Sequence, residues 1–258
     1  TQASEVVPAG ELLPEYQKLR FSLETSPTTG GLALRGVDRA TDVERHKFTD
    51  IQPFAYLNLF QQTGRGFHAG GRVVVARIGG MIYGYDLASK SRTAAWKVNT
   101  VGDFNMNALM RFDPQPDELR MDFQDGSKVV IRFTGVVVRA GYAAVVTRDG
   151  LECFDPTDIN KKYWTRRYVP ERTVLHGDDR HVVLLEAGAD RRPVGMRVVR
   201  AGDGGTVAAP DSSGVLAAAR SYRMIGASAL VHEGEDGGPQ VLRLLDLATG
   251  KDVWRQEY

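Results

Sequence analysis

The sequence predicts an all-β fold of short strands and tight turns, and three observations predict it. Valine and glycine each occur 28 times among the 258 residues, and glycine, at about 11%, exceeds its usual share of ~7%. Asp-Gly pairs begin at residues 125, 149, 203 and 236, and such pairs close hairpins because they accept a positive φ. Apolar residues do not recur with a clear helical period over windows of about 12 residues or more.

The composition excludes several classes of protein. Apolar residues make up 42% of the chain and charged residues 25%, which is typical of a globular domain and excludes a disordered or collagen-like chain. The 33 basic and 32 acidic residues nearly cancel, so no net field attracts the whole molecule to nucleic acid or to an anionic membrane. No apolar run approaches the ~20 residues of a membrane-spanning helix. Any binding must therefore come from local patches.

The single cysteine, Cys153, excludes an internal disulfide and a cysteine-based metal cage. Its neighbours predict a strand, so we expect Cys153 to be buried as a small hydrophobic residue.

Taken in chain order, runs of apolar and β-branched residues between turn residues predict strands and hairpins. A strand is expected at residues 19–23. Hairpins are expected from residues 72–78 and 81–85, from residues 142–147 and 151–154, and from residues 241–246 and 251–254.

The hairpins repeat with a regular spacing, which is the most informative feature of the sequence. Each repeat carries an aspartate in a turn, and the mean distance between successive aspartates is about 42 residues. A repeat of about 40 residues that contains about four strands is typical of a β-propeller blade. The turn aspartates are Asp38, Asp86, Asp125, Asp155, Asp203 and Asp246.

Three repeats carry a tryptophan after the turn, namely Trp96, Trp164 and Trp254. A tryptophan on that strand is wide enough to fill the space between adjacent twisted sheets. We therefore predict that all three belong to the core between blades, and that Gly250 adopts a left-handed conformation in its turn.

Residues 246–254, with the sequence DLATGKDVW, resemble the PQQ-like β-propeller repeat, named for the pyrroloquinoline-quinone dehydrogenases. Residues 86–96 and 155–164 are less close to it, and the resemblance spans residues 32–258 in all. It implies four-stranded antiparallel blades in a ring, with seven or eight blades common. The family includes quinoprotein dehydrogenases and cofactor-free scaffolds such as the lipoprotein of the outer-membrane assembly machinery.

The resemblance implies what a quinoprotein dehydrogenase would need: a bound Ca²⁺ that polarises the quinone, a carboxylate base and, in many members, two adjacent cysteines. The chain has one cysteine, and Asp122 and Asp125-Gly126 stop short of a calcium-binding pattern. We therefore predict a non-catalytic protein with no catalytic, cofactor-binding or metal-binding residues. A quinoprotein dehydrogenase, or a degenerate relative, remains the alternative, and would gain if His176, Asp178 and Asp179 converged in a funnel.

Other clusters have structural interpretations that we prefer. We expect residues 176–181 to form a polar hairpin turn rather than a metal site. Residues 161–168 mix cations with aromatic residues, and we expect an outer strand rather than a single-strand nucleic-acid site. Residues 64–71 lack the spacing of a nucleotide-binding loop, so we expect a loop between blades. Residues 226–230 lack the second glycine of a nucleophile elbow and precede a strand.

The domain organisation predicted is an N-terminal extension, or outer strands of the first blade, at residues 1–31, followed by a propeller at residues 32–258. About six repeat units are expected, either as a small ring or as part of a ring of seven or eight blades. Residues 54–60 are expected either to pack under a blade or to form a contact surface.

The function predicted is that of a scaffold that binds a protein partner and has no cofactor. The family resemblance implies a place in the periplasm or cell envelope. The chain lacks an initial Met, so we expect a processed or shortened N-terminus. A further alternative is that the chain is the C-terminal segment of a larger envelope protein, whose remaining blades lie on a removed or separate chain.

Overall fold

The computed structural model describes residues 12–25, 32–51, 65–78, 81–97, 109–114, 118–132, 135–147, 150–167, 169, 173–190 and 192–258. These residues confirm the all-β class, with a single short helix, α1 (Ser213–Ala218), among them. The strands of the first three sheets are β1 (Leu19–Thr25), β2 (Leu32–Asp38), β3 (Glu44–Ile51), β4 (Arg65–Gly70), β5 (Val73–Ile78), β6 (Met81–Asp86), β7 (Ser91–Lys97), β8 (Leu109–Pro114), β9 (Glu118–Phe123) and β10 (Lys128–Arg132). The strands of the last three are β11 (Val136–Val138), β12 (Ala143–Thr147), β13 (Gly150–Asp155), β14 (Asp158–Arg166), β15 (Thr173–Gly177), β16 (His181–Ala187), β17 (Pro193–Arg200), β18 (Ser221–Ile225), β19 (Ser228–Glu233), β20 (Val241–Asp246) and β21 (Lys251–Glu257).

Within the described residues the strands form six sheets, and in every sheet neighbouring strands follow one another in the chain. We number them sheet 1 (β1–β3), sheet 2 (β4–β7), sheet 3 (β8–β10), sheet 4 (β11–β14), sheet 5 (β15–β17) and sheet 6 (β18–β21). The strand expected at residues 19–23 and all three expected hairpins are confirmed. Up-and-down order of this kind follows directly from short turns between successive strands.

Each sheet carries one of the six turn aspartates, which in five sheets lies at or just after the end of the last strand but one, in the turn before the final strand, and in sheet 5 lies just after the final strand, β17. In every case a carboxylate oxygen accepts the backbone N–H of the residue two positions further on, which fixes the turn. In sheet 5 a single bridge between Val199 and Thr206 lies across this turn. The donor–acceptor distances are 3.0 Å for Ala40 to Asp38, 2.9 Å for Ala88 to Asp86, Ser127 to Asp125 and Thr157 to Asp155, and 2.8 Å for Gly205 to Asp203 and Ala248 to Asp246.

The turns after Asp38, Asp86 and Asp246 also share their backbone path. The fourth residue after each aspartate has a positive φ, of 57° at Asp42, 54° at Lys90 and 68° at Gly250. In all three hairpins the register then shifts by one residue in the strand that follows the turn. The weak sequence match at Asp38 is therefore a true structural repeat, and the left-handed Gly250 is confirmed.

The chain divides into two compact units. One comprises Thr1–Phe133, Val138–Ala143 and Phe154–Lys161, and the other comprises Thr134–Val137, Ala144–Cys153 and Lys162–Tyr258. In the first unit, sheet 1 packs against sheet 2 through a cluster that includes Phe21, Leu34 and Phe48 on one side and Val74 and Tyr85 on the other. The rings of Phe48 and Tyr85 stack with centroids 4.2 Å apart.

In the second unit, sheet 5 packs against sheet 6. Val183, Leu185 and Val198 of sheet 5 share a buried cluster with Ala229, Val231 and Leu245 of sheet 6, and Leu216 of α1 joins it. Face-to-face packing of successive sheets therefore recurs in each unit.

Two features differ from the expectations. Residues 64–71 were expected to form a loop, which was wrong, since residues 65–70 form β4 and pair with β5 along its whole length. Gly70 is needed there because a Cβ at this position would lie 2.5 Å from the backbone carbonyl carbon of Arg139. Helix α1 was not expected, since six residues are too few to establish a helical period.

Candidate interaction surface

Trp164 shows how a tryptophan joins one sheet to the next within the second unit. It lies on β14, the last strand of sheet 4, and its indole N–H donates to the carbonyl of Ala201 at 2.7 Å. A Cβ on Gly204 would lie 2.6 Å from the indole ring, so the ring rests on a turn where glycine, at φ 69°, leaves space. Trp164 is half-buried, and its predicted place between sheets is confirmed.

Trp254 was expected to be buried in the same way, and this expectation was wrong. It lies on β21, the last strand of sheet 6, where every residue is exposed, and the exposed fraction of Trp254 is 41%. The reason is positional. Trp164 has the turn of sheet 5 to rest on, whereas within the second unit sheet 6 packs against sheet 5 through its other side, away from Trp254.

That side of sheet 6, which we call the open face, carries a central apolar row between two more polar rows, one with His232 and Gln256 and the other with Ser228, Asp246 and Lys251. Cross-strand pairing places Leu230, Leu244 and Trp254 in one row across β19, β20 and β21. Leu242 lies two residues along β20 on the same side, and Ile225 of β18 is 52% exposed at its margin. The three leucines are only half-buried.

Comparison with other strands shows that the open face is unusual. In β16 the residues Val182 to Leu185 point alternately to both sides of sheet 5, and all are at most 5% exposed. In β20 both sides are also apolar, but only Leu245, on the side of sheet 5, is buried. Strands that are apolar on both sides are typical of sheets covered on both sides. The sequence of β20 therefore fits a covered face, and the structure leaves that face open.

The charges around the open face are mainly positive. Arg223 of β18 and Lys251 of β21 lie on this side of the sheet and are exposed. Neither side chain forms an ion pair with a residue that the structure describes. Asp246, also on this side, uses its carboxylate to accept the backbone N–H groups of Ala248 and Thr249. The open face thus has an apolar central row, with the unpaired cations Arg223 and Lys251 near its ends and Asp246 opposite Lys251.

The opposite side of sheet 6 balances its charges internally. Arg243 of β20 contacts Glu233 of β19 at 2.9 Å and Asp252 of β21 at 3.4 Å. Sheet 1 repeats this arrangement, since Arg35 of β2 contacts Glu24 of β1 and Glu44 of β3. Both acceptors raise the pKa of Arg35, Glu44 most strongly. These cross-strand ion pairs link neighbouring strands within each sheet.

The turn at residues 176–181 is a polar hairpin turn, as expected. The Asp178 carboxylate accepts the backbone N–H groups of Arg180 and His181, both at 2.8 Å, and its Oδ1 lies 3.5 Å from Nδ1 of His181. Asp179 and Arg180 are exposed. The part of the chain that the structure describes contains no group of three or more ligand side chains able to hold a metal ion.

The remaining candidates also find structural roles. Cys153 is fully buried in β13, as predicted. In β14, Lys161 pairs with Asp155 at 3.2 Å and Lys162 with Glu152 at 2.7 Å, which confirms an outer strand with its cations in solvent. Gly226 has a positive φ of 62° and precedes β19 in a turn. Residues 54–60 and the side chain of Trp96 lie outside the described residues.

Hydrogen bonds in the turns lower the pKa of several turn carboxylates. The backbone N–H of Ala40 has the largest effect on the pKa of Asp38. The guanidinium of Arg200 has the largest effect on that of Asp203, followed by the N–H of Gly205. Carboxylates that are held ionised in this way stabilise turns and are not proton donors at neutral pH.

Comparisons with known proteins found no matching family model and no matching curated protein. Among solved structures, BamB from Moraxella catarrhalis matches at 14% identity and a TM-score of 0.34, covering 95% of this chain and 72% of that chain. Hydrazine synthase from Kuenenia stuttgartiensis matches at 12% identity and a TM-score of 0.43, covering 95% and 65%. Hsv2 from Kluyveromyces lactis matches at 9% identity and a TM-score of 0.33, covering 95% and 61%.

The chain thus spans less than two thirds of the hydrazine synthase and Hsv2 chains. At TM-scores this low, the likenesses carry no argument about the function of this chain. Among the described residues, no helix has both the length and the apolar character needed to cross a bilayer.

Proposed function

We propose that the six sheets are blades of a β-propeller of the PQQ-like repeat type. Three features support this proposal: the chain-order connection of strands in every sheet, the aspartate turn that each sheet carries, and the face-to-face packing of successive sheets within each unit. The spacing of about 42 residues between turn aspartates agrees with one blade per repeat.

We further propose that the protein is a non-catalytic scaffold that binds a protein partner through the open face of sheet 6. The observation that carries this proposal is the half-exposed row of Leu230, Leu244 and Trp254, whose central strand, β20, has apolar residues on both sides. Contiguous exposed apolar surface of this kind is typical of binding sites, because water contact with it is unfavourable. The family resemblance supports a location in the cell envelope.

Affinity purification from the native source tests the scaffold function. Tagged wild-type protein is compared with Leu244→Asp, which places a charge in the centre of the open face. The matched control is Arg255→Glu, since Arg255 lies on β21 beside Trp254 but on the other side of the sheet. Circular dichroism confirms that each variant is folded.

We expect a stoichiometric partner with wild-type protein and Arg255→Glu, and its loss with Leu244→Asp. A partner that is retained by folded Leu244→Asp would contradict the role of the open face. Turnover of an alcohol with an artificial electron acceptor, dependent on added quinone and Ca²⁺, would contradict the non-catalytic assignment.

A further inference from the structure

We infer that the open face of sheet 6 binds an apolar partner segment that is flanked by carboxylates. This inference rests on the proposed function and specifies the chemistry of the partner. It follows from two properties of the surface: the apolar row at its centre and the unpaired cations at its margins.

The centre of the surface lies on the opposite side of sheet 6 from an interface that the molecule already has. Sheet 5 buries one side of sheet 6 through Val231 and Leu245, and the open face presents Leu230 and Leu244 one residue away along the same two strands. A second apolar layer packed there would bury the leucines as deeply as Leu184 and Leu185 are buried in sheet 5. The partner must therefore present apolar side chains at its centre.

The margin of the surface selects the charge of the partner. Arg223 lies beside Leu230 in the pairing of β18 with β19, and Lys251 lies on β21 three residues before Trp254. Both cations lack an ion pair within the described residues, in contrast to Arg243 and Arg255, which have carboxylate partners. Desolvating unpaired cations at an interface is unfavourable unless carboxylates meet them, so an acidic margin is favoured and a basic one is repelled.

The indole N–H of Trp254 adds a requirement that the partner supply a hydrogen-bond acceptor. On β14, the indole N–H of Trp164 donates to the carbonyl of Ala201 in the adjacent sheet. Within the described residues the indole N–H of Trp254 has no hydrogen-bond acceptor, and an indole N–H that becomes buried needs one. An extended partner segment offers backbone carbonyls at regular spacing and can satisfy it.

The test uses two fluorescein-labelled synthetic peptides in which Leu alternates with Ser. One carries two Glu at each end and the other two Lys. Fluorescence anisotropy measures the binding of each to the full-length wild-type protein, Lys251→Glu, Arg223→Glu and the control Arg255→Glu. All of these charge reversals lie at exposed positions, so the variants are expected to fold.

We expect the Glu peptide to bind about tenfold more tightly than the Lys peptide, and this preference to weaken in high salt. Lys251→Glu and Arg223→Glu should each weaken binding of the Glu peptide by roughly fivefold, with no change for Arg255→Glu. Equal binding of the two peptides would overturn the inference, as would equal effects of Lys251→Glu and Arg255→Glu.

Light scattering and the affinity purification distinguish a second copy of this chain on the open face from a different protein partner. A dimer of the isolated protein that dissociates in Leu244→Asp would show that a second copy covers the face, and would overturn the inference. A partner lost with Leu244→Asp, together with no preference for the Glu peptide, would overturn the inference and leave the proposed scaffold function intact.

Discussion

His46 is a buried polar side chain in an otherwise apolar part of the first unit. It is 8% exposed, its Nδ1 has no hydrogen-bond partner, and its ring lies 6.3 Å from the rings of both Tyr16 and Phe48. Burial lowers the pKa of His46, and the ammonium of Lys90 lowers it further. The folded state therefore disfavours the protonated imidazole.

The pH dependence of folding follows from that environment. As the pH falls below about 6.5, unfolded His46 takes up a proton more readily than folded His46, so the free energy of unfolding decreases until the folded imidazole is also protonated. We expect His46→Phe to reduce this loss, as measured by urea denaturation at pH 7.5 and pH 5.5. An unchanged loss in the variant would contradict the assignment.

The two tryptophans on final strands should differ sharply when each is replaced. Trp164→Phe keeps an aromatic ring but removes the hydrogen bond to Ala201, so we expect the free energy of unfolding to fall by about 1–2 kcal/mol. Trp254→Phe should change it by less than about 0.5 kcal/mol, because its side chain is exposed. Equal losses in urea denaturation would show that Trp254 is buried like Trp164.

Among the elements, the aspartate turn was the most predictable from the sequence, because its geometry depends on neighbouring residues. An aspartate that accepts the N–H two residues ahead needs no tertiary contact, so the spacing of these aspartates could predict about six repeat units. Exposure depends instead on what a strand packs against. The pattern of β20 and β21 is the same whether the face is covered or open, so Trp254 was assigned to the core. The sequence signal that indicates a second contact surface on sheet 6 is the presence of apolar residues on both sides of β20.

Other elements were missed for similar physical reasons. Glycines at residues 64–71 suggested a loop, but Gly70 serves a close backbone approach that only the folded structure shows. Helix α1 forms because Leu216 joins the cluster between sheets 5 and 6, and a six-residue segment has little helical tendency of its own.

The turn after Asp246 allows a test of whether its packing against Pro210 stabilises the fold. Gly250 and Gly237 both have positive φ, of 68° and 80°. A Cβ at Gly250 would lie 2.1 Å from Cγ of Pro210, whereas a Cβ at Gly237 would meet nothing within 4 Å. We expect Gly237→Ala to cost about 1 kcal/mol from backbone strain alone, and Gly250→Ala about 2–4 kcal/mol. Equal costs in urea denaturation would mean that Pro210 does not pack on the turn.

At the scale of the whole molecule, the repeated sheets and turns support a propeller, and the exposed apolar row of sheet 6 supports a scaffold function. The same sheet order and the same turn recur along the chain, which fits blades of a propeller. Within the second unit, sheet 6 carries a half-exposed row of apolar side chains on the side away from sheet 5, which fits a scaffold whose partner completes the packing. The absence of a clear chemical cluster in the sequence motivated the non-catalytic prediction, and the open face is the feature that the sequence did not reveal.

Fluorescence quenching of the isolated protein by acrylamide tests the central claim most directly. The spectrum and quenching of Trp254 are obtained as the difference between wild-type protein and Trp254→Phe. We expect this difference spectrum to show a red-shifted emission that acrylamide quenches readily, because the side chain of Trp254 is 41% exposed. A blue-shifted emission that resists quenching would show that the face is covered in the isolated chain, and would contradict the claim that it is a binding surface.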